Sequence, residues 1–250
     1  MNVCSRAALV NAFNTELQPD RFKDYGPNGL QVEGRPEIAR VVSGVTASKA
    51  LIEAALDLKA DALVVHHGLF WRGQEGRVTG WMRQRLGLLL AHDVNLLAYH
   101  LPLDAHPTLG NNAQLGQLMG WQAQGHCGDQ DLVWLGQCLP QTSAHLAQAI
   151  ELKLNRSVTL VDAGVGAIKN IAWCTGGAQG YFEAAIAAGA QAYVTGEISE
   201  PQAHYAREMG VSYLAVGHHA SERYGVAAVS ARVCEGLGLI HTFVDIPNPA

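Results

Sequence analysis

The chain has 250 residues, 48% of them hydrophobic and only 16% charged, with a net charge of −5. That balance excludes an intrinsically disordered chain, which needs low hydrophobicity and high net charge. With no run of Lys or Arg, it also lacks the electrostatic footprint of a general nucleic-acid binder.

The apolar runs, such as Ala62-Leu63-Val64-Val65 and Leu88-Leu89-Leu90-Ala91, are far short of the ~18–20 residues of a membrane span. The opening residues do not read as a signal peptide. Five scattered cysteines, with no CxxC pair, read as reduced thiols. Cytoplasmic localisation is the expectation.

Residues 5–17 space their apolar side chains for one helical face. The stretch Asp24-Tyr25-Gly26-Pro27-Asn28-Gly29 is dense in turn formers. Residues 40–46 read as a buried strand, 47–59 as a helix and 62–66 as a second strand. Residues 80–92 read as a helix and 95–100 as a third strand. This alternation predicts a parallel α/β sheet.

A shift of 130 residues aligns Glu53-Ala54-Ala55 with Glu183-Ala184-Ala185, and Ala60, Ala62 and Val64 with Ala190, Ala192 and Val194. Strand 171–174 then echoes 41–45, and Tyr193-Val194-Thr195 echoes Leu63-Val64-Val65. The order of elements therefore predicts a duplicated unit. The expected division is a first lobe over 1–120 and a second over 121–250. Residues 121–169 have a different texture and read either as an inserted subdomain or as the early part of the second unit; they hold a strand at 132–139, a helix at 142–154 and a strand at 157–162.

Eleven histidines are present, six of them packed into three motifs. Histidine is the commonest metal ligand and carries protons near neutral pH. His66-His67-Gly68-Leu69-Phe70-Trp71 ends the second strand, and ligands of open parallel sheets gather at the carboxyl ends of strands. Alternation points neighbouring strand residues to opposite faces, so His66 and His67 suit two adjacent ions better than one. The pair would also serve as buried core histidines.

His100-Leu101-Pro102-Leu103-Asp104-Ala105-His106-Pro107 follows the third strand. Asp104 offers an oxygen ligand and His100 or His106 a nitrogen; equally, Asp104 suits a helix cap. In Gly217-His218-His219-Ala220-Ser221-Glu222, His218 and Glu222 share one face if a helix starts there. That helix start would also stand without a metal.

Together the motifs supply three imidazoles (His66, His67, His218) and two carboxylates (Asp104, Glu222). A bridging carboxylate with a few imidazoles is what a two-metal hydrolytic site requires. Mixed nitrogen and oxygen ligands suit Zn, Fe, Mn, Ni or Co. Thr175-Gly176-Gly177-Ala178-Gln179-Gly180 reads as a phosphate cradle or, better, a plain turn between strand and helix. Glu197, in Thr195-Gly196-Glu197, stands where His66-His67 stands in the first copy and is a candidate to face the same cleft.

These motifs, with Tyr25-Gly26-Pro27-Asn28-Gly29-Leu30-Gln31 and the ending Asp245-Ile246-Pro247-Asn248-Pro249, resemble the GTP cyclohydrolase I type 2 homologues, also called Nif-three-like proteins. The likeness runs from about residue 5 to the last residue.

The resemblance implies an α/β fold of two similar lobes, with mixed and parallel sheets flanked by helices. It implies a ring-shaped homohexamer with a dinuclear metal site in each subunit. The implied ligands are His66 and His218 on one ion, His67 and Asp104 on the other, and Glu222 bridging. His100 would stand beside them as the catalytic proton carrier. The implied activity is a metal-dependent hydrolysis in which activated water opens the imidazole ring of a purine nucleotide, GTP being the named candidate. A non-catalytic metal-binding regulator or metal-delivery protein is the competing expectation. Neither membrane nor nucleic acid is an expected partner.

Overall fold

The computed structural model describes residues 2–250. The chain divides into two compact units. One runs to Gly110 and takes in Gly225–Ile246; the other comprises Asn111–Tyr224 and Pro247–Ala250.

The first unit opens with a short strand, β1 (Cys4–Ser5), and α1 (Arg6–Leu17). The Ser5 side chain accepts a hydrogen bond from the Ala8 amide, the N-cap that starts α1. Strands β2 (Gly29–Val32) and β3 (Glu37–Ile38) follow, then β4 (Arg40–Thr46), α2 (Lys49–Asp57), β5 (Ala62–His67), α3 (Gly80–Ala91), β6 (Asn95–Ala98) and α4 (Leu101–Ala105).

The second unit contains α5 (Asn111–Met119), β7 (Gln122–Cys127), β8 (Val133–Gln141), α6 (Ser143–Leu154), β9 (Thr159–Val161), β10 (Ile168–Cys174), α7 (Phe182–Ala187), β11 (Ala192–Thr195), α8 (Glu200–Met209) and β12 (Ser212–Ala215). Helix α9 (His218–Leu237) begins in this unit and its later turns belong to the first, which ends on β13 (Ile240–Phe243).

The first sheet has the order β13-β4-β5-β6-β2. Strands β13, β4, β5 and β6 run parallel, and β2 lies antiparallel on β6. Strands β4, β5 and β6 are covered on both faces, which is why they read as continuous apolar runs. On one face, Leu9 and Phe13 of α1 pack with Val226, Val229 and Val233 of α9. On the other, Leu51, Ile52 and Ala55 of α2 pack with Met82, Leu86 and Leu89 of α3.

The second sheet has the order β7-β8-β10-β11-β12-β9. Its centre, β10-β11-β12, is parallel, and β8 and β9 flank it antiparallel. Strands β7, β8 and β9 are members of this sheet, so residues 121–169 form the early part of this unit. Its core centres on Trp121, Trp134 and Trp173, packed with Leu146, Ile150 and Leu154 of α6.

The duplication is visible in register. Val41 pairs with Ala62 and Ile171 with Ala192, both partners offset by 130. Loop hydrogen bonds repeat at the same offset. Asp61 N donates to Arg40 O and Gln191 N to Asn170 O; Ala60 N donates to Ala55 O and Ala190 N to Ala185 O. Among the described residues no helix is long and apolar enough to cross a membrane.

Candidate metal centre

In the first unit, β5 carries His66 and His67 to its carboxyl end. His66 is fully buried and His67 half-buried. Their rings lie 4.5 Å apart, tilted by 42°. His100 follows β6 at the start of α4, 5.0 Å from the His66 ring. Histidines 66, 67 and 100 each offer a ring nitrogen within 4.8 Å of the others. Asp104 lies in α4, buried, with Oδ1 3.5 Å from His66 Nε2.

The turn at 24–29 is the cradle of His100. Asp24 Oδ1 accepts from His100 Nδ1 at 2.7 Å and from the Tyr25 amide at 2.6 Å. Its Oδ2 accepts from the Leu101 amide and from Asn28 Nδ2, each at 2.9 Å. Asn28 Oδ1 in turn accepts from the His100 amide at 2.8 Å. Burial pushes the Asp24 carboxyl up, but the hydrogen bond and charge of His100, with the Asn28 and Leu101 donors, outweigh it and hold the group below its usual value.

His106 is spent elsewhere. Its Nδ1 accepts from the Thr108 and Leu109 amides, and its Nε2 faces Glu16 Oε1 at 3.2 Å. Of the two nitrogens that motif offered, His100 is therefore the one beside His66 and His67.

In the second unit, His218 opens α9 and Glu222 stands one turn on, as their spacing predicts. His218 Nε2 lies 3.2 Å from Glu222 Oε2, and His218 Nδ1 lies 2.7 Å from Glu197 Oε1. Burial opposes charging the His218 ring. Glu222 first, then Glu197, overcome that through hydrogen bonds and charge, and its pKa is pushed up to about 9. Glu222 is only 2% exposed. A carboxylate is rarely this buried without a cationic partner or a metal.

Gly176 makes room for that carboxylate. A Cβ at this position would sit 1.9 Å from Glu222 Oε1, and its φ of +72° is left-handed. The surrounding loop is tied down by its own amides. Gly176 N donates to Ser221 Oγ at 3.0 Å and Thr175 N to Asn112 Oδ1 at 2.8 Å. Neither of these two amides is left for a phosphate, and Gly176 walls the carboxylate. Gly176→Ala is expected to cost about 1–2 kcal/mol from the left-handed backbone alone, roughly 2–8 °C in Tm for a chain of this size. It is also expected to displace Glu222. A thermal melt and a metal assay on the purified variant check both, and a melt equal to wild type would contradict this wall.

Four histidines follow one arrangement. His66 Nδ1 meets the Tyr99 carbonyl at 3.0 Å, His67 Nδ1 the Thr46 hydroxyl at 3.1 Å, His100 Nδ1 the Asp24 carboxylate and His218 Nδ1 the Glu197 carboxylate. Carbonyls and carboxylates only accept, so in His66, His100 and His218 the Nδ1 must carry the proton. When neutral, each ring then presents a bare Nε2 lone pair. The same Nε2 atoms of His66 and His218 face Asp104 and Glu222. An oxygen behind Nδ1, with Nε2 turned to the front, is the usual construction of metal-binding histidines. The buried His/Asp/Glu clusters therefore suit a metal, with the mixed donors that favour transition ions.

Three other histidines have duties elsewhere: His126 packs on Trp134, His204 pairs with Glu200 and His241 bonds Ser43. The supporting role of Asp24 has no signal in the sequence, where its segment reads only as a turn. The segment bends at Tyr25 and Gly26; Asp24, just ahead of the bend, is also the acceptor that orients His100, and only the contact across the fold reveals it.

The model of the family described as Duf34/NIF3 (NGG1p interacting factor 3) matches residues 4–249. A Pseudomonas aeruginosa protein named GTP cyclohydrolase 1 type 2 homolog is 50% identical over 248 residues, 98% of each chain. A protein of the same name from Escherichia coli K12 is 46% identical over 244 residues, 97% of this chain and 98% of that one. Among solved structures, the protein ybgI, described as of unknown function, superposes with a TM-score of 0.96 at 45% identity, over 99% of this chain and 100% of that one. A Thermus thermophilus protein gives 0.88 at 30% identity, with the same coverage.

Proposed function

The chain belongs to the DUF34/NIF3 family, and from that premise we propose that it is a dinuclear metal-dependent hydrolase acting on a purine nucleotide. In this reading His66, His67, Asp104, His218 and Glu222 hold two divalent transition-metal ions, with Glu222 bridging. The ring-shaped homohexamer belongs to the same reading.

One observation carries it. Each of the four site histidines has its Nδ1 against an oxygen, and the Nε2 atoms of His66 and His218 meet buried carboxylates. Histidines that only filled a core would have no reason to share that orientation.

A pair of bound ions supplies water of lowered pKa and polarises a substrate oxygen or ring nitrogen. The rest is the work of the chain's own side chains. His100 is held at Nδ1 by Asp24, which leaves Nε2 to take up or deliver a proton. Trp71 stands against the His100 ring, the centroids 5.0 Å apart and the planes nearly perpendicular. Asp24 keeps that ring from turning. GTP is the first substrate to try, because close relatives carry the GTP cyclohydrolase name.

The test is metal content per chain, by plasma mass spectrometry on untagged protein purified without chelator, followed by GTP turnover with formate as the readout. About two transition ions per chain and formate release are the expected results. No metal, even after reloading, would sink the reading. Metal without turnover across a nucleotide panel would leave a regulator or a delivery protein in its place.

A further inference from the structure

We propose that Glu197 is the positioning residue of His218, holding the ring so that Nε2 stands beside Glu222. The inference rests on the metal reading of His218 and Glu222 given above.

Its first support is the side from which Glu197 approaches. The two nitrogens lie on different edges of the imidazole ring. Glu197 Oε1 occupies the Nδ1 edge at 2.7 Å, while Glu222 Oε2 stands at Nε2, 3.2 Å away. An ion held by Nε2 and Glu222 would lie in front of the ring, with the Glu197 contact behind it. Glu197 thus acts through His218.

The second support is that Glu197 is itself fixed. The Tyr213 hydroxyl donates to its main-chain carbonyl at 2.6 Å, and Tyr213 is fully buried. Gln179 Nε2 donates to Glu197 Oε2 at 3.3 Å, and Gln202 Nε2 holds the Gln179 carbonyl at 3.2 Å. The carboxylate is thus pinned through both its backbone and its second oxygen.

The third support is the repeat. The β4–β5 register pairs Thr46 with His67, and the β10–β11 register follows the same course at an offset of 130. That offset carries Thr46 onto Gly176 and His67 onto Glu197. In the first unit the strand end presents a histidine, with the Thr46 hydroxyl behind it. In the second, the strand end presents the carboxylate and α9 brings the histidine. Gly196 allows this approach, since a Cβ there would sit 2.7 Å from the His218 Cα.

The experiment is a Co2+ titration of the metal-stripped full chain, read by cobalt's visible absorption, on wild type, Glu197→Ala and Glu197→Gln. Glu197→Ala is expected to weaken Co2+ binding about 10–100-fold, the usual effect of removing a residue behind a liganding histidine, and to change the spectrum. Glu197→Gln keeps an oxygen that can accept from Nδ1 and is expected to recover most of the affinity. Glu200→Ala, at an exposed pair with His204, is expected to match wild type.

Wild-type affinity and spectrum in Glu197→Ala would overturn the inference while leaving the metal centre standing. So would an equal loss in Glu197→Gln accompanied by a lowered melting temperature, which would mark a structural role. A wild-type chain that takes up no Co2+ would instead remove the centre itself, and this inference with it.

Discussion

Glu222→Ala is expected to leave the purified chain with little or no metal, while the fold survives. Supporting residues behind a ligand cost about 10–100-fold in metal affinity, so loss of a direct ligand, the role proposed for Glu222, should cost more than about 100-fold. The carboxylate is 2% exposed and is walled by Gly176. It also faces His218 Nε2 at 3.2 Å. Water has little access to compensate for its loss. The helix itself has no reason to fail, because alanine is the best helix former. Plasma mass spectrometry on wild type and variant, purified in parallel, reads the result. Equal metal content in the two would remove Glu222 from the ligand set.

The second large effect is on turnover. His100→Gln is expected to lower GTP hydrolysis by about 10²–10⁴-fold, the usual worth of a positioned proton carrier, with metal content unchanged. Glutamine is the better variant because its amide can still donate to Asp24, which would otherwise be a buried carboxylate robbed of its main partner. The distinction matters because His100 stands within ligand distance of His66 and His67. A variant that loses metal together with activity would make His100 a ligand, and unchanged turnover would remove it from the chemistry.

Asp24 adds a pH signature. Its folded pKa lies below its usual value. The stability it contributes is therefore present above the ordinary carboxylate range and is lost as the pH falls through the lowered value.

Much of this is legible in the sequence, and the exceptions have physical causes. Strands β4, β5 and β11, and β10 from Ile171 onward, announce themselves as apolar stretches because both their faces are buried. Helices α1 and α6 carry Ser and Thr caps at Ser5 and Thr142, which accept from Ala8 and His145. Strand β7 leaves no such signal because it is a mostly exposed edge strand, Gln-Ala-Gln-Gly-His-Cys, without apolar alternation. Strand β13 is four half-buried residues and too short to show a period.

The histidines are visible because they end strands or begin helices in compact motifs. Their supports are not. Asp24 lies 76 residues from His100 and Glu197 lies 21 from His218, and a hydrogen bond across such a span leaves no periodicity behind. For Glu197, the repeat indicates the place but not the direction in which it acts.

The shared register means that the molecule carries its own two-row alignment. The rows agree at the exposed Glu53 and Glu183, and at Ala54 and Ala184, Ala55 and Ala185, Ala60 and Ala190, Ala62 and Ala192, and Val64 and Val194, small or branched residues most of which are buried in the strands and the helices that cover them. Lys59 and Gly189, in corresponding turns, both adopt positive φ. The rows differ within the strands, as at Ser43 and Trp173 or Leu63 and Tyr193, and again where the strands run out: Thr46 against Gly176, His66 against Gly196, His67 against Glu197. The same plan ends one strand in two histidines and the other in a glycine and a glutamate, so a strand end takes new side chains without disturbing the register beneath it.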